Sequence, residues 1–78
     1  MLTILRVGHL RFFFNSREES RRHIHVNTLE GTAKFWLEPI VALADYYGLD
    51  EREINKAEKI VQEKQEEFIH AWNQYFQL

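Results

Sequence analysis

The sequence predicts an α+β fold: a four-stranded antiparallel sheet made of two hairpins, packed on one face by a short helix and a long C-terminal helix. Three observations predict it. Residues 3–37 hold short runs of β-branched and aromatic residues separated by turn residues. From residue 50 onward, apolar residues recur at helical spacing. No internal repeat, linker or low-complexity stretch divides the 78 residues. They therefore read as one domain, with 1–38 as the sheet half, 39–48 as the short helix and 50–78 as the terminal helix.

The first hairpin joins residues 3–7 to residues 10–14 through Gly8-His9, a two-residue loop with glycine first, as a type II′ turn requires. In that register Val7 faces Leu10, Arg6 faces Arg11, Leu5 faces Phe12 and Ile4 faces Phe13. Alternation then places Leu5, Val7, Leu10, Phe12 and Phe14 on one face, and Ile4, Arg6, Arg11 and Phe13 on the other. Two arginines directly opposite each other repel unless an anion lies between them. Residues 15–21 are polar and read as an exposed loop.

The second hairpin pairs residues 23–28 with residues 33–37, with Glu30-Gly31 as its loop. Val26 then faces Phe35 and Ile24 faces Leu37 on the apolar face. On the opposite face His25 meets Trp36, His23 meets Glu38 and Asn27 meets Lys34. A bulged turn at Gly31 would slip these pairs.

Pro39 suits the first turn of a helix. Ile40, Leu43, Ala44 and Tyr47 follow at helical spacing, and Gly48 supplies the stop. Asp50 and Glu53 form a capping box for the terminal helix. Its apolar positions are Ile54, Ala57, Ile60, Val61, Phe68, Ala71, Trp72, Tyr75 and Phe76. As one helix over residues 51–78 it would be about 42 Å long, against about 20 Å for strands of five or six residues. Its distal half then overhangs the sheet, so Phe68, Ile69, Trp72, Tyr75 and Phe76 need cover from the first helix, a second copy or a foreign chain. Lys64 and Gln65 interrupt the apolar stripe midway.

Hydrophobic residues make up 45% and charged residues 28%, which excludes collagen-like and disordered classes. No apolar run approaches the length of a membrane span, so no membrane partner is expected. The absence of Cys excludes a disulfide framework, a zinc ribbon and a thiol nucleophile, and fits a reducing cytoplasm. The net charge of −2 conceals a split: residues 1–38 carry a balance of +2 and residues 39–78 a balance of −4. The two halves are thus suited to different partners.

Together the two registers give the sheet a polar face bearing Arg6, Arg11, Phe13, His23, His25, Lys34, Trp36 and Glu38. Cations there would take phosphates or carboxylates, and Phe13 and Trp36 would stack bases. The same pattern also describes a half-exposed sheet covered by its own rings and long stems. A pI of 6.1 speaks against a dedicated nucleic-acid binder. His23 and His25 share a face, and Glu38 beside His23 would make either a metal triad or an acid/base pair with Glu38 as the orienting group. Residues two apart on any strand share a face, so neither is specific. No phosphate loop or nucleophile elbow occurs, and no cofactor or metal is assigned. His9 and His70 read as solvated.

Met1-Leu2-Thr3-Ile4-Leu5-Arg6-Val7-Gly8, Arg11-Phe12-Phe13-Phe14, His23-Ile24-His25-Val26, Ala33-Lys34-Phe35-Trp36-Leu37 and Ala71-Trp72-Asn73-Gln74-Tyr75-Phe76 follow one pattern in order. Over essentially its whole length the chain resembles the small bacterial family catalogued as domain of unknown function 4160. The resemblance implies a bacterial cytoplasmic protein of no settled activity. It also implies a neighbouring small gene, in a layout like that of toxin–antitoxin modules, and so a small-protein partner. Carried over residue by residue, the family's hallmark face is Arg6, Arg11, Phe13, His23, His25, Lys34 and Trp36. The sequence departs from the pattern at Arg22, where a proline is expected.

The expected function is a binding module. It would form a homodimer or a hetero-complex with a small protein through Phe68, Trp72, Tyr75 and Phe76, and present its cationic face to an acidic protein, RNA or DNA. The alternative is a metal-independent ribonuclease-type toxin, with His23 or His25 as acid/base, Glu38 in support and arginines stabilising a phosphorane-like state.

Overall fold

The computed structural model describes residues 2–15 and 20–76. In chain order they form β1 (Leu2–Val7), β2 (Leu10–Phe14), β3 (His23–Asn27), β4 (Thr32–Trp36), β5 (Ala42–Tyr47), α1 (Glu51–Glu63) and α2 (Gln65–Tyr75). The strands make one antiparallel sheet in sequence order, β1-β2-β3-β4-β5. The α+β class holds, but the sheet has five strands instead of four. Of the expected loop at 15–21, Ser16 to Glu19 lie outside the described residues, as do Gln77 and Leu78 of the expected helix.

The first hairpin follows its expected register at Val7–Leu10, Arg6–Arg11 and Leu5–Phe12. Gly8, at φ +58°, adopts the left-handed backbone that the first turn position needs. Further out Ile4 is an extra residue, so Thr3 faces Phe13 and Leu2 faces Phe14. The expected Ile4–Phe13 pair is thereby replaced. The bulge brings the Thr3 hydroxyl under Arg11, whose Nε donates to Thr3 Oγ1 at 2.7 Å.

The second hairpin is displaced by two residues: Ile24 faces Phe35, Val26 faces Ala33, and His23 faces Trp36 rather than Glu38. Its loop is residues 28–31, closed by a 2.8 Å bond from the Thr28 N–H to the Gly31 carbonyl. Thr28 Oγ1 also accepts from the N–H groups of Glu30 and Gly31, at 3.0 and 3.1 Å. That side-chain turn favours the longer loop. An even displacement preserves every face assignment.

Residues 39–48 are not a helix. Residues 42–47 pair with β4 as β5, with Leu43 opposite Phe35 and Asp45 opposite Lys34. Pro39 follows Glu38 through a cis peptide bond. A helix of so few residues gains little from its own hydrogen bonds, whereas the outer edge of β4 offers a full ladder of partners. Ile40 and Tyr47, expected on a buried helical stripe, are 71% and 79% exposed.

The terminal helix is also not continuous. It bends at Lys64, whose φ of −107° and ψ of 13° leave helical values. Gln65 Nε2 donates to the Leu37 carbonyl at 2.7 Å, which ties the joint to the end of the sheet. The bend replaces the overhang expected of one straight helix: Phe68 and Trp72 are buried by the chain itself, and Tyr75 and Phe76 pack against the same core. α1 contributes Ala57 and Val61, while α2 lays Phe68 on Phe12 at 5.7 Å and Trp72 on Phe14 at 5.3 Å between ring centroids. Each large side chain sealed there contributes about 1.5–3 kcal/mol. Asp50 caps α1 as expected, its Oδ1 accepting from the Glu53 N–H at 2.8 Å.

Candidate binding face

Among the described residues both helices pack on one side of the sheet, and the residues of the other side follow from the register. One row reads Thr3–Phe13–His25–Lys34–Asp45 across all five strands. The next reads Arg6–Arg11–Asn27–Thr32–Tyr47, and a third brings His23 beside Trp36. Arg6, Arg11, Phe13, His23, His25, Lys34 and Trp36 thus share the face that alternation assigns them.

Their exposures differ. Arg6 is exposed and Arg11 half-buried, its guanidinium carbon 4.6 Å from the Phe13 ring centre. Phe13 is only 6% exposed, stacked on His25 at 5.4 Å. Its ring is therefore the floor of the face instead of an outer platform for bases. The Asn15 amide donates to His25 Nε2 at 3.3 Å. Trp36 lies under two cations, with Arg21 4.3 Å and Lys34 4.6 Å from its ring centre. Cation–π contacts of this kind hold charge over an apolar ring.

His23 is fully buried. Its Nδ1 lies 2.7 Å from the Arg21 carbonyl, and since a carbonyl only accepts, Nδ1 carries the proton. Trp72, His25 and Trp36 surround the ring at 4.9, 5.2 and 5.6 Å. Glu38 is not beside it. Instead Glu38 accepts from Arg22 Nη1 at 3.0 Å, and Arg22 Nε donates to Asn73 at 2.8 Å, joining the sheet to α2. Arg22, where a proline was expected, thus has a structural task. Among the described residues no three His, Asp or Glu side chains converge as metal ligands.

The Arg22 hydrogen bond, aided by the charges of Arg22 and Arg21, holds the Glu38 carboxyl below its ordinary value against the opposing effect of burial. A lowered carboxyl adds stability above the unfolded value of 4.5 and loses it as pH falls through the folded one. Glu38→Gln should therefore remove part of the acid limb of a stability–pH curve. The effect should be at most about 1 kcal/mol at neutral pH, because Glu38 remains over a third exposed and screened. Urea melts from pH 3 to 7 would read it, and an unchanged acid limb would refute the pairing.

Asn15, Asn27, Asp45, Tyr46 and Tyr47 are not among the site residues expected from sequence, yet with Phe13, His25 and Lys34 they line a shallow cleft of about 360 Å³. Asp45 and Tyr47 would have been legible had residues 42–47 been read as a strand. Arg21, outside any strand, carried no such signal.

The described residues define a small α+β domain that packs its helices against one side of a five-stranded sheet and carries cationic side chains on the other. The chain belongs to the family described as Domain of unknown function (DUF4160), whose model matches residues 9–73. No curated protein and no solved structure gives a match. No helix among the described residues is long and apolar enough to cross a membrane.

Proposed function

We propose that the protein is an anion-binding module, one component of a toxin–antitoxin-like gene pair, whose open sheet face receives an acidic protein segment or nucleic acid. One observation carries the binding reading: Arg6 and Arg11 face each other across β1 and β2, and among the described residues neither is paired with a carboxylate. Like charges at directly opposed positions are unfavourable until an anion joins them. Arg21 and Lys34 over Trp36 extend the cationic surface toward β4. The gene-pair part rests on what the family resemblance implies. The ribonuclease alternative has less support, because His23 is sealed from solvent and Glu38 is engaged by Arg22.

The test is fluorescence anisotropy with a labelled single-stranded RNA and with polyglutamate. Binding to at least one should weaken as salt rises, and Arg6→Glu should reduce it by about tenfold, with a shallower salt slope for RNA. Absence of binding to both at low salt would refute the proposal.

A further inference from the structure

We infer that β1 is the docking edge for an extended acidic peptide: a segment of a protein partner, alternating carboxylate and aliphatic side chains, adds to the sheet alongside β1. The inference rests on the anion-binding reading and names the partner's chemistry. Among the described residues β1 has a neighbour on one side only, so its outer backbone groups form an edge for strand addition. Beside a two-residue hairpin loop, Val7 and Leu10 make the hydrogen-bonded pair, so the N–H and C=O of Arg6 point outward.

The two faces of β1 ask for different side chains. On the open face, exposed Arg6 lies opposite Arg11, and the bond from Arg11 Nε to Thr3 draws that guanidinium toward β1. On the helix side, Leu2 and Val7 stand opposite the buried Phe14 and Leu10, yet remain 41% and 36% exposed. The cause is placement: α1 lies against β4, and the rings of α2 lie against Phe12 and Phe14 of β2. An incoming strand with a period of two meets both demands at once, carboxylates toward the arginines and aliphatics toward Leu5 and Val7.

Other occupants answer only one demand. A second copy of β1 would bring a further Arg6 to a face already holding two arginines. A nucleic acid would neutralise the arginines and leave Leu2 and Val7 bare. The opposite edge, β5, carries Asp45 and no arginine or lysine.

The probe is a synthetic peptide of about eight residues alternating Glu and Val, long enough to flank β1. An alternating Lys and Val peptide and a single-stranded RNA serve as comparisons. The Glu-Val peptide should bind in a salt-sensitive way, shift the backbone amide resonances of Leu2–Val7 and slow amide exchange at Arg6. The Lys-Val peptide should not bind. Arg6→Glu, at an exposed position, should weaken binding about tenfold or more, and N-methylation of alternate peptide amides should abolish it. RNA binding that is lost in Arg6→Glu, with no binding of the acidic peptide, would overturn the peptide inference and leave the anion-binding reading standing. Resonance shifts confined to β5, or a β1-mediated dimer in sedimentation, would also overturn it. Binding of neither probe would overturn both.

Discussion

Replacing Trp72 by alanine is expected to lower the stability of the isolated domain by about 3–5 kcal/mol, the usual cost of deleting a buried indole. Trp72 is 2% exposed and touches Phe76, His23 and Phe14 at 4.3, 4.9 and 5.3 Å. Well-oriented aromatic pairs add about 0.5–1.5 kcal/mol each beyond the area they bury. In a domain of this size, a loss of that order should depress the thermal midpoint by roughly 15 °C or more. Trp72→Phe should cost much less. It keeps most of the ring, and the Trp72 Nε1–H finds no hydrogen-bond acceptor among the described residues, so no bond is lost. Thermal and urea melts measure both. The result separates two roles for α2. Were Phe68, Trp72, Tyr75 and Phe76 chiefly a surface for another chain, Trp72→Ala would weaken association and leave the stability of the monomer within about 1 kcal/mol.

Gly31→Ala should be comparably damaging, at about 3 kcal/mol or more. A Cβ at Gly31 would run into the Tyr47 carbonyl oxygen and stand 2.9 Å from two backbone carbons of Gly48. All of these are main-chain atoms, so no rotamer change relieves the clash. The loop before β4 and the end of β5 would have to separate. The reciprocal change, Gly48→Ala, meets the Glu30 carbonyl oxygen at 2.7 Å and also places alanine at φ +75°. Because both substitutions press on one contact, the double variant should cost less than the sum of the singles. Urea denaturation of the four proteins completes the cycle. If residues 39–48 were a helix stopped by Gly48, Gly31→Ala would alter only an exposed turn. Its cost would then stay within about 1 kcal/mol.

These two positions also mark where sequence reasoning stopped. The Gly8-His9 turn and the alternation of residues 10–14 and 23–27 were legible because they depend on neighbours two residues apart and on turn chemistry. The face shared by Arg6, Arg11, Phe13, His23, His25, Lys34 and Trp36 was legible for the same reason, and the two-residue slip of the second hairpin left it intact. Exposure was not legible. His23 is sealed by Trp72 from the C-terminal helix, and Phe13 is covered by His25 and Arg11. A period of two assigns a side, but only long-range packing decides whether that side meets water.

The sequence by itself determined the α+β class, the first hairpin near its turn, the capped start of α1, the polar and apolar sides of β2 to β4, and the family. Each of these rests on local periodicity, turn residues or ordered blocks of residues. Only the tertiary structure decided that residues 42–47 form a strand and that the terminal helix bends at Lys64. The short segment has helical and extended spacings of similar quality, and the free edge of β4 and the Gly31–Gly48 approach select the extended one. The helix bends because Gln65 finds the Leu37 carbonyl and Trp72 finds a place among Phe14, His23 and Phe76. Leu37, Phe14 and His23 lie far away in the chain, so the Lys64-Gln65 interruption of the apolar stripe marks the place of the bend without naming the partners that set it.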